Sequence, residues 1–344
     1  MSVLPTARKP RVAVTHWIHT EVVTYLESFC EPITNRTRES WPEDLLLHHC
    51  QEADGILAFM PDTVDEAFLS HCPNLKIIAG ALKGYDNFDI EACSRNGVLF
   101  TNVPDLLTAP TAELAVALLL GVARKCVPGD HLIRSGRFEG WRPVLYGSGL
   151  VGKTIGLIGL GEVGQALARR LNGFECRLIA TEPDIEKFPI AEELGVELRD
   201  LDSVTAQSDV VALLLPLNAS TRHLVNRSFL RTMKAGSILL NVCRGSVVDE
   251  EAVADSLDAG HLGAYAADVF EMEDWALSDR PRSIPSRLLR NREQTFFTPH
   301  LGSAVDEVRI AISLEAAAQL KAYFEGKRPQ HLLNPSALSW TAAR

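Results

Sequence analysis

The chain has 344 residues, enough for about two domains at ~100–200 residues each. Its balance of 46% hydrophobic and 23% charged residues is that of an ordinary soluble protein and excludes a disordered or fibrous chain. A formal net charge of −10 argues against non-specific nucleic-acid binding, so an anionic substrate would need positive charge concentrated locally. In chain order, residues 11–14 predict a first strand, Thr20 to Phe29 a helix and Pro42 to Cys50 a second helix. Gly55 to Met60 is a strand stopped by Pro61, and Lys76 to Ala79 is the next. The loop Leu82-Lys83-Gly84-Tyr85-Asp86-Asn87 follows, then a helix from Ile90 to Arg95 and a strand from Val98 to Phe100. This alternation argues for a parallel sheet covered on both faces.

Val103-Pro104-Asp105 reads as a hinge. Thr111 to Lys125 is a long apolar helix, capped by Thr108 or Thr111 and ended by Pro128-Gly129. Arg134 to Gly149, with many glycines and aromatics, reads as an ordered loop. Ile155 to Ile158 then form a short buried strand, and Val163, Leu167 and Leu171 mark one face of a helix. Between them Gly159, Gly161 and Gly164 stand in the spacing G-x-G-x-x-G. The first glycine permits a tight turn, the second lets backbone approach a pyrophosphate, and the third lets helix pack on strand. A further strand, Arg177 to Thr181, ends at Glu182, about where a dinucleotide fold places the acid that bonds the ribose hydroxyls. Strand, glycines, helix, strand and acid in register are a far stronger signal than the glycines alone. Later strands are Val210 to Leu215, Ser237 to Val242, Ala264 to Ala267 and Thr295 to Phe297. The last helix runs from Ala304 to Glu325 and stops at Gly326-Lys327-Arg328-Pro329, leaving a loosely held tail after Leu333.

The seven cysteines are dispersed without a C-x-x-C pair, which predicts reduced thiols and a cytoplasmic protein. No apolar signal core opens the sequence, and the longest apolar run, Leu114 to Ala123, is far short of the ~20 residues a membrane span needs. Polar groups follow three of the late strands. Arg244 directly follows a buried strand, where a guanidinium is costly unless paired and where its fork can grip an oxyanion. Asp268, Glu271, Glu273 and Asp274 follow another, and His300, a residue that can act as a general base near neutral pH, follows the last. Residue chemistry alone reads Arg244 equally as a structural ion pair and the acids as a solvated turn. Met60 reads as a core filler and His48-His49-Cys50 as a helix end, because no companion cluster supports a metal.

Taken together, N-x-x-R-G at 241–245, D-V-F-x-x-E at 268–273 and P-H-x-G-S at 299–303, downstream of G-x-G-x-x-G, resemble the D-2-hydroxyacid dehydrogenases over about residues 10 to 330. The resemblance implies an α/β protein of two doubly wound parallel-sheet domains. One is a central Rossmann nucleotide domain at 107–302, the other a split, flavodoxin-like substrate domain at 1–106 plus 303–344. It implies Arg244, Glu273 and His300 as the catalytic set, and NAD as the cofactor, with no metal. The implied cofactor residues are Lys83, Leu107, Thr111, Gly159, Gly161, Glu162, Val163, Gly164, Glu182, Pro183, Leu215, Pro216, Val242, Cys243, Arg244, Asp268 and His300. Among them Asp268 would hold the nicotinamide carboxamide, Leu215 and Pro216 would line the adenosine side, and Thr111 would reach the nicotinamide end. The helix at Thr111 is where such proteins form homodimers, so its apolar face is expected between subunits.

The chain departs from the common pattern of that family. Lys83 stands in a loop where small residues and backbone N–H groups usually meet the substrate, and Glu273-Asp274-Trp275 replaces the usual Glu-Pro. With Phe59-Met60-Pro61-Asp62, Val103 to Thr108, Gly140-Trp141-Arg142-Pro143 and Tyr146-Gly147, these features are similar to the phosphite (phosphonate) dehydrogenases within the family. That resemblance implies NAD-dependent oxidation of phosphite to phosphate, at a site lined by Met60, Lys83, Gly84, Trp141, Tyr146, Arg244 and Ser303. Phosphite at neutral pH is largely a dianion, and Lys83 as a second cation beside Arg244 suits the extra charge. The alternatives are a D-2-hydroxyacid dehydrogenase acting as a 2-oxoacid reductase, and a non-enzymatic NAD-sensing corepressor on the same fold.

Overall fold

Short runs of aliphatic residues form the strands of two all-parallel sheets, in a computed structural model that describes residues 8–337. The sheets belong to two units. One comprises the described residues up to Leu107 together with those from Val305 onward, and the other is Thr108–Ala304.

In the first unit β1 (Arg11–Val14), β2 (Glu31–Thr34), β3 (Gly55–Ala58), β4 (Ile77–Gly80) and β5 (Leu99–Thr101) lie in the order β2-β1-β3-β4-β5. Strand residues alternate between two apolar layers, as the twofold repeat of an extended chain requires. Val12, Leu57, Ile77 and Leu99 meet Leu26 of the helix Thr20–Glu27 and Ile312, Ala316 and Leu320 of the helix Asp306–Phe324. Ile56, Ile78 and Phe100 face the other way, onto Cys50, Leu69 and Ala92. Burial on both faces explains why β3 and β4 read as unbroken apolar runs. Strand β2, Glu-Pro-Ile-Thr, escapes the sequence reading because it is a half-exposed edge strand, the one place where a proline without an N–H is tolerated.

The expectation of a loose tail after Leu333 is corrected for residues 334–337. Leu333 donates its N–H to Phe100 O (2.9 Å), and Asn334 is buried. The Asn334 side chain accepts from the Phe100 N–H (2.8 Å) and donates to Val98 O (2.9 Å) and Ser94 Oγ (3.2 Å). The Asn334 amide thus joins the Leu333 bond in tying the returning chain to β5, a link that local hydropathy does not encode. The rest of the expected tail, 338–344, lies outside the described residues.

In the second unit β6 (Thr154–Ile158), β7 (Arg177–Thr181), β8 (Val196–Leu198), β9 (Val210–Leu213), β10 (Ile238–Asn241), β11 (Ala264–Ala267) and β12 (Thr295–Phe297) lie in the order β12-β11-β10-β9-β6-β7-β8. The order reverses at β6, which pairs with both β7 and β9. Such a switch point opens a crevice beyond the carboxyl ends of the strands. All seven strands being parallel, the loops after β9, β10, β11 and β12 leave from the same edge.

The helix Thr108–Ala123 buries Ala112, Ala115, Leu118 and Leu119 in the core of its own unit and leaves Leu114, Val116 and Leu120 partly buried. One expectation about it is corrected. Pro128-Gly129 does not end it. Lys125 breaks the helix in the left-handed region (φ 55°), and Pro128 lies in the first turn of a new helix, Cys126–Arg134. The first N–H groups of a helix have no intrahelical acceptor, so a proline there loses no bond.

Candidate active site

The glycine loop after β6 behaves as its spacing predicts. Gly159 has φ +100°, and a Cβ there would stand 2.6 Å from Leu214 O, so the turn is closed to other residues. A Cβ at Gly164 would stand 2.6 Å from Gly159 O, which is the tight helix–strand contact. A Cβ at Gly161 would meet nothing within 4 Å. Gly161 also caps the helix Glu162–Leu171, so open space lies at a helix N-terminus, a setting that suits a pyrophosphate. Glu182, at the end of β7, is nearly buried (5% side-chain exposure). It accepts N–H bonds from Leu160 (2.8 Å) and Asp184 (3.0 Å). Lys187 Nζ reaches back to Glu182 Oε2 at 3.2 Å. Pro183 beside it is exposed. These residues fit a dinucleotide: backbone where its phosphates lie, a carboxylate where its ribose lies.

At the carboxyl edge of the same sheet the three late loops converge. His300 sits in the left-handed region (φ 56°), unusual for a residue with a Cβ. Asp268 at the end of β11 holds that turn. Its carboxylate accepts from Leu301 N–H (2.7 Å), Gly302 N–H (2.8 Å) and the Thr298 hydroxyl (2.5 Å), and its carbonyl accepts from His300 N–H (2.8 Å). Burial pushes the Asp268 pKa up, against the pull of the Thr298 and Leu301 bonds. A Cβ at Gly302 would stand 3.1 Å from Thr111 Oγ1, which places Thr111 beside the same turn. The turn points the His300 ring at Glu273, with Nδ1 2.8 Å from Glu273 Oε2. The other oxygen of Glu273 accepts the N–H of Phe270 (2.8 Å), fixing the carboxylate in place. Nε2 of His300 is therefore the nitrogen left for chemistry.

Arg244 follows β10 in an extended conformation, its carbonyl held by Asn241 Nδ2 (2.9 Å) and its Nη1 bonded to Cys243 O (2.9 Å). Its segment is packed directly on that of Glu273. A Cβ at Gly245 would stand 1.8 Å from the Phe270 carbonyl carbon, and Ser246 N–H donates to Asp274 Oδ2 (2.6 Å). Cys243 is buried, and burial pushes its thiol pKa up, so it is no nucleophile. Leu215, Pro216, Val242 and Ser303 lie in or beside these same loops.

In the first unit the loop after β4 is fixed by its backbone. Asn102 Nδ2 donates to Lys83 O (2.9 Å), and Val103 N–H to Leu82 O (2.9 Å). Met60 after β3 is tied to the same loop by Asn87 Nδ2 on its carbonyl (2.9 Å). Lys83, Gly84 and Met60 are all partly buried, as is Leu107 at the end of this unit's first segment. Sequence reading missed Arg309, whose guanidinium lies over the Phe59 ring (5.6 Å) and donates to Ala81 O (3.5 Å), beside the loop of Lys83. Burial pulls its pKa down. The available signal was a charge inside the apolar run Val308-Arg309-Ile310-Ala311-Ile312. Trp141 and Tyr146 are exposed, at 82% and 74%, on the loop after the helix Cys126–Arg134. They line a cavity of about 240 Å³ with Leu132, Phe138, Arg142 and Val144, whose walls include none of Arg244, Glu273 and His300. No group of three or more His, Cys, Asp or Glu among the described residues is placed to hold a metal ion.

The chain has counterparts among known proteins. Residues 116–302 match the family described as D-isomer specific 2-hydroxyacid dehydrogenase, NAD binding domain. The chain belongs to this family. It is 36% identical over 340 residues to a glyoxylate reductase of Thermococcus litoralis, covering 96% of this chain and 98% of that one. It is also 36% identical to a glyoxylate reductase of Aeropyrum pernix, over 95% and 96% of the two chains. Among solved structures the TT0316 protein from Thermus thermophilus superposes with a TM-score of 0.85 at 33% identity, over 94% of this chain and 99% of that one. The second unit is therefore an NAD-binding domain, and the protein an NAD-dependent dehydrogenase. No helix among the described residues is long and apolar enough to cross a membrane.

Proposed function

We propose that this dehydrogenase oxidises phosphite to phosphate, with the unit built on 1–106 and 303–344 supplying substrate residues and that on 107–302 holding NAD. The observation that carries the reading is Lys83. It stands on a loop whose backbone is fixed from both sides, at a place where the family ordinarily offers small residues. With Arg244 it supplies two cations for a dianion, and each unit charge at ~4 Å attracts by about 4 kcal/mol at an effective dielectric of 20, before desolvation. Met60, Gly84, Trp141, Tyr146 and Ser303 complete the proposed substrate contacts.

NAD, when bound, supplies the hydride acceptor. Gly159, Gly161, Glu162, Val163 and Gly164 would hold its phosphates, Glu182 and Pro183 its adenosine ribose, and Leu215 and Pro216 its adenosine side. Lys83, Leu107, Thr111, Val242, Cys243, Arg244, Asp268 and His300 would serve the nicotinamide end. The Asp268 carboxylate already accepts three bonds, which leaves one lone-pair site for the carboxamide. Arg244 and Lys83 hold the phosphite oxygens. Water forms the new P–O bond while the P–H bond breaks and its hydrogen departs with the electron pair. His300 Nε2 takes the proton of that water, and Glu273 stabilises the imidazolium that results. Phosphite, water and the oxidised cofactor thus become phosphate, the reduced cofactor and one proton.

A second reading, reduction of a 2-oxoacid, is favoured by the names of the relatives, which are glyoxylate reductases. One spectrophotometric assay separates the two. NADH absorbance rising on addition of phosphite and NAD supports phosphite oxidation. No rise, with NADH consumed on addition of glyoxylate, transfers the site to the second reading. We further propose a homodimer through the helix Thr108–Ala123, whose side chains Leu114, Val116 and Leu120 are only partly buried by its own core. A cytoplasmic setting fits seven free thiols.

A further inference from the structure

Behind Arg244 and Glu273 two more carboxyl groups are buried together, and nothing in the proposed chemistry uses them. Glu250 opens the helix Glu250–Asp258, seven residues beyond Cys243, and is 2% exposed. Glu271 lies two residues before Glu273 and is 8% exposed. Each accepts the backbone N–H of the other. Glu250 N–H donates to Glu271 Oε1 at 3.0 Å, and Glu271 N–H donates to Glu250 Oε1 at 2.8 Å. Two acids drawn together in a core repel when both are charged and normally avoid each other. Here they are held by reciprocal bonds across the seam where the segment after β10 meets the segment after β11.

We propose that the Glu250–Glu271 pair is a positioning clasp that keeps the segment carrying Arg244 in register with the segment carrying Glu273. The pair lies beside the tight contact at Gly245 and the Ser246–Asp274 bond, so that side of the seam is already closed by packing. A shift there would move Arg244 against the Glu273–His300 pair, the geometry on which the chemistry depends. The inference rests on the catalytic assignment of Arg244, Glu273 and His300, but not on which substrate is oxidised or reduced.

The protonation of the clasp follows from its surroundings. Glu271 Oε2 faces His223 Nε2 at 3.0 Å, on a partly exposed ring. Glu250 Oε2 has no hydrogen-bond partner among the described residues. Its neighbours add negative charge: Glu271, and Glu273 and Asp274 from the same turn. Tyr265 on β11 and Cys243 after β10 are buried and neutral near pH 7, with their pKa values raised. Arg244 is the cation of this seam, and its Nη1 is bonded to Cys243 O. Burial pushes the Glu250 pKa up to about 8, so Glu250 keeps its proton at neutral pH. The proton is retained in the fold and lost in the unfolded chain above the ordinary carboxyl range. The stability linked to Glu250 is thus complete below about pH 4.5, declines as pH rises, and is gone above about pH 8.

The test uses the full chain with whichever of phosphite or glyoxylate it turns over. Glu250→Ala removes both the acceptor and the titrating carboxyl, and should lower kcat at least tenfold while KM for NAD stays within threefold. Glu250→Gln keeps the acceptor oxygen and cannot ionise, so it should recover at least half of that loss at pH 7. The ratio of kcat at pH 9 to that at pH 7 should fall at least fivefold below one in the wild type and stay within twofold of one in Glu250→Gln. Thermal melts without substrate give a readout independent of activity: between pH 5 and pH 9 the wild type should lose more Tm than Glu250→Gln. Equal kcat ratios, equal losses of Tm, or a Gln variant no better than Ala would each overturn the clasp. If the wild type turns over neither substrate, the functional reading fails, and the melts still report on the buried charge.

Discussion

Glu182 decides which cofactor the second unit accepts, and its surroundings allow the preference to be estimated. Its carboxylate is fixed by the N–H groups of Leu160 and Asp184 and is nearly buried, so it cannot swing away from a bound ribose. The 2′-phosphate of NADP would enter the same space. Two like charges ~4 Å apart repel by about 4 kcal/mol at an effective dielectric of 20, near a thousandfold in affinity. Lys187 reduces this, because its ammonium already sits 3.2 Å from Glu182 Oε2. Placed ~5 Å from the incoming phosphate it would return about 3 kcal/mol, leaving a net preference for NAD of roughly fivefold. Initial rates with both cofactors on the wild type and its variants test the account. The wild type should favour NAD by roughly fivefold in kcat/KM. Glu182→Ala should raise kcat/KM with NADP at least tenfold, and adding Pro183→Arg should raise it further by supplying a fork for the phosphate. Lys187→Ala should widen the preference for NAD in the wild type, and combined with Glu182→Ala it should shrink the gain, since the phosphate then loses its cation. Equal use of NADP by the wild type, or an unchanged Glu182→Ala, would remove Glu182 from this role. An unchanged Lys187→Ala would remove the lysine alone.

Other expectations are simpler. Lys83→Ala should raise KM for phosphite more than tenfold with kcat largely kept, whereas Arg244→Ala should lower both affinity and kcat; a Lys83→Ala KM within twofold of wild type refutes the dianion argument. His300→Asn should keep the fold and NAD binding, by circular dichroism and calorimetry, while turnover drops roughly 10²–10⁴-fold. A variant retaining a tenth of wild-type kcat would show that another group takes the proton. Light scattering at micromolar concentration should give twice the 37.7 kDa chain mass, and a monomer would contradict the proposed dimer.

Much of this site can be read from the chain because its signals are local. The glycine loop needs three glycines at fixed spacing, and the structure closes two of them against backbone and leaves the third open. Resemblance pairs Glu273 with His300, and the fold brings them to 2.8 Å. What stays hidden in the sequence depends on partners distant along the chain or on conformation. The left-handed turn of His300 is imposed by Asp268, 32 residues earlier, and no local pattern announces it. The contact of Glu250 with Glu271 spans 21 residues and joins two acids that propensity would place in solvent. Lys125, expected as the end of one helix, is the break between two, because a proline in a first helical turn looks the same in sequence as a proline that stops a helix. Strands β2 and β8 are short edges, where one-sided burial leaves too few apolar residues to mark them.

The interleaving of the two units also has a consequence for synthesis. The first unit's sheet is made early, but the layer formed by Val12, Leu57, Ile77 and Leu99 is completed by Ile312, Ala316 and Leu320, and β5 takes further bonds from Leu333 and Asn334. The whole second unit, Thr108–Ala304, must be translated in between. At ~5–20 residues per second that is a wait on the order of 10–40 s. During this interval the first unit's strands lack that layer on one face, and when Ala304 emerges the second unit has every residue of its own core while the first still waits. Folding on the ribosome should therefore run from the middle of the chain outward, with the N-terminal strands maturing last. A chain halted at Ala304 should show the same order to a protease, which would cut the first hundred residues and spare the rest.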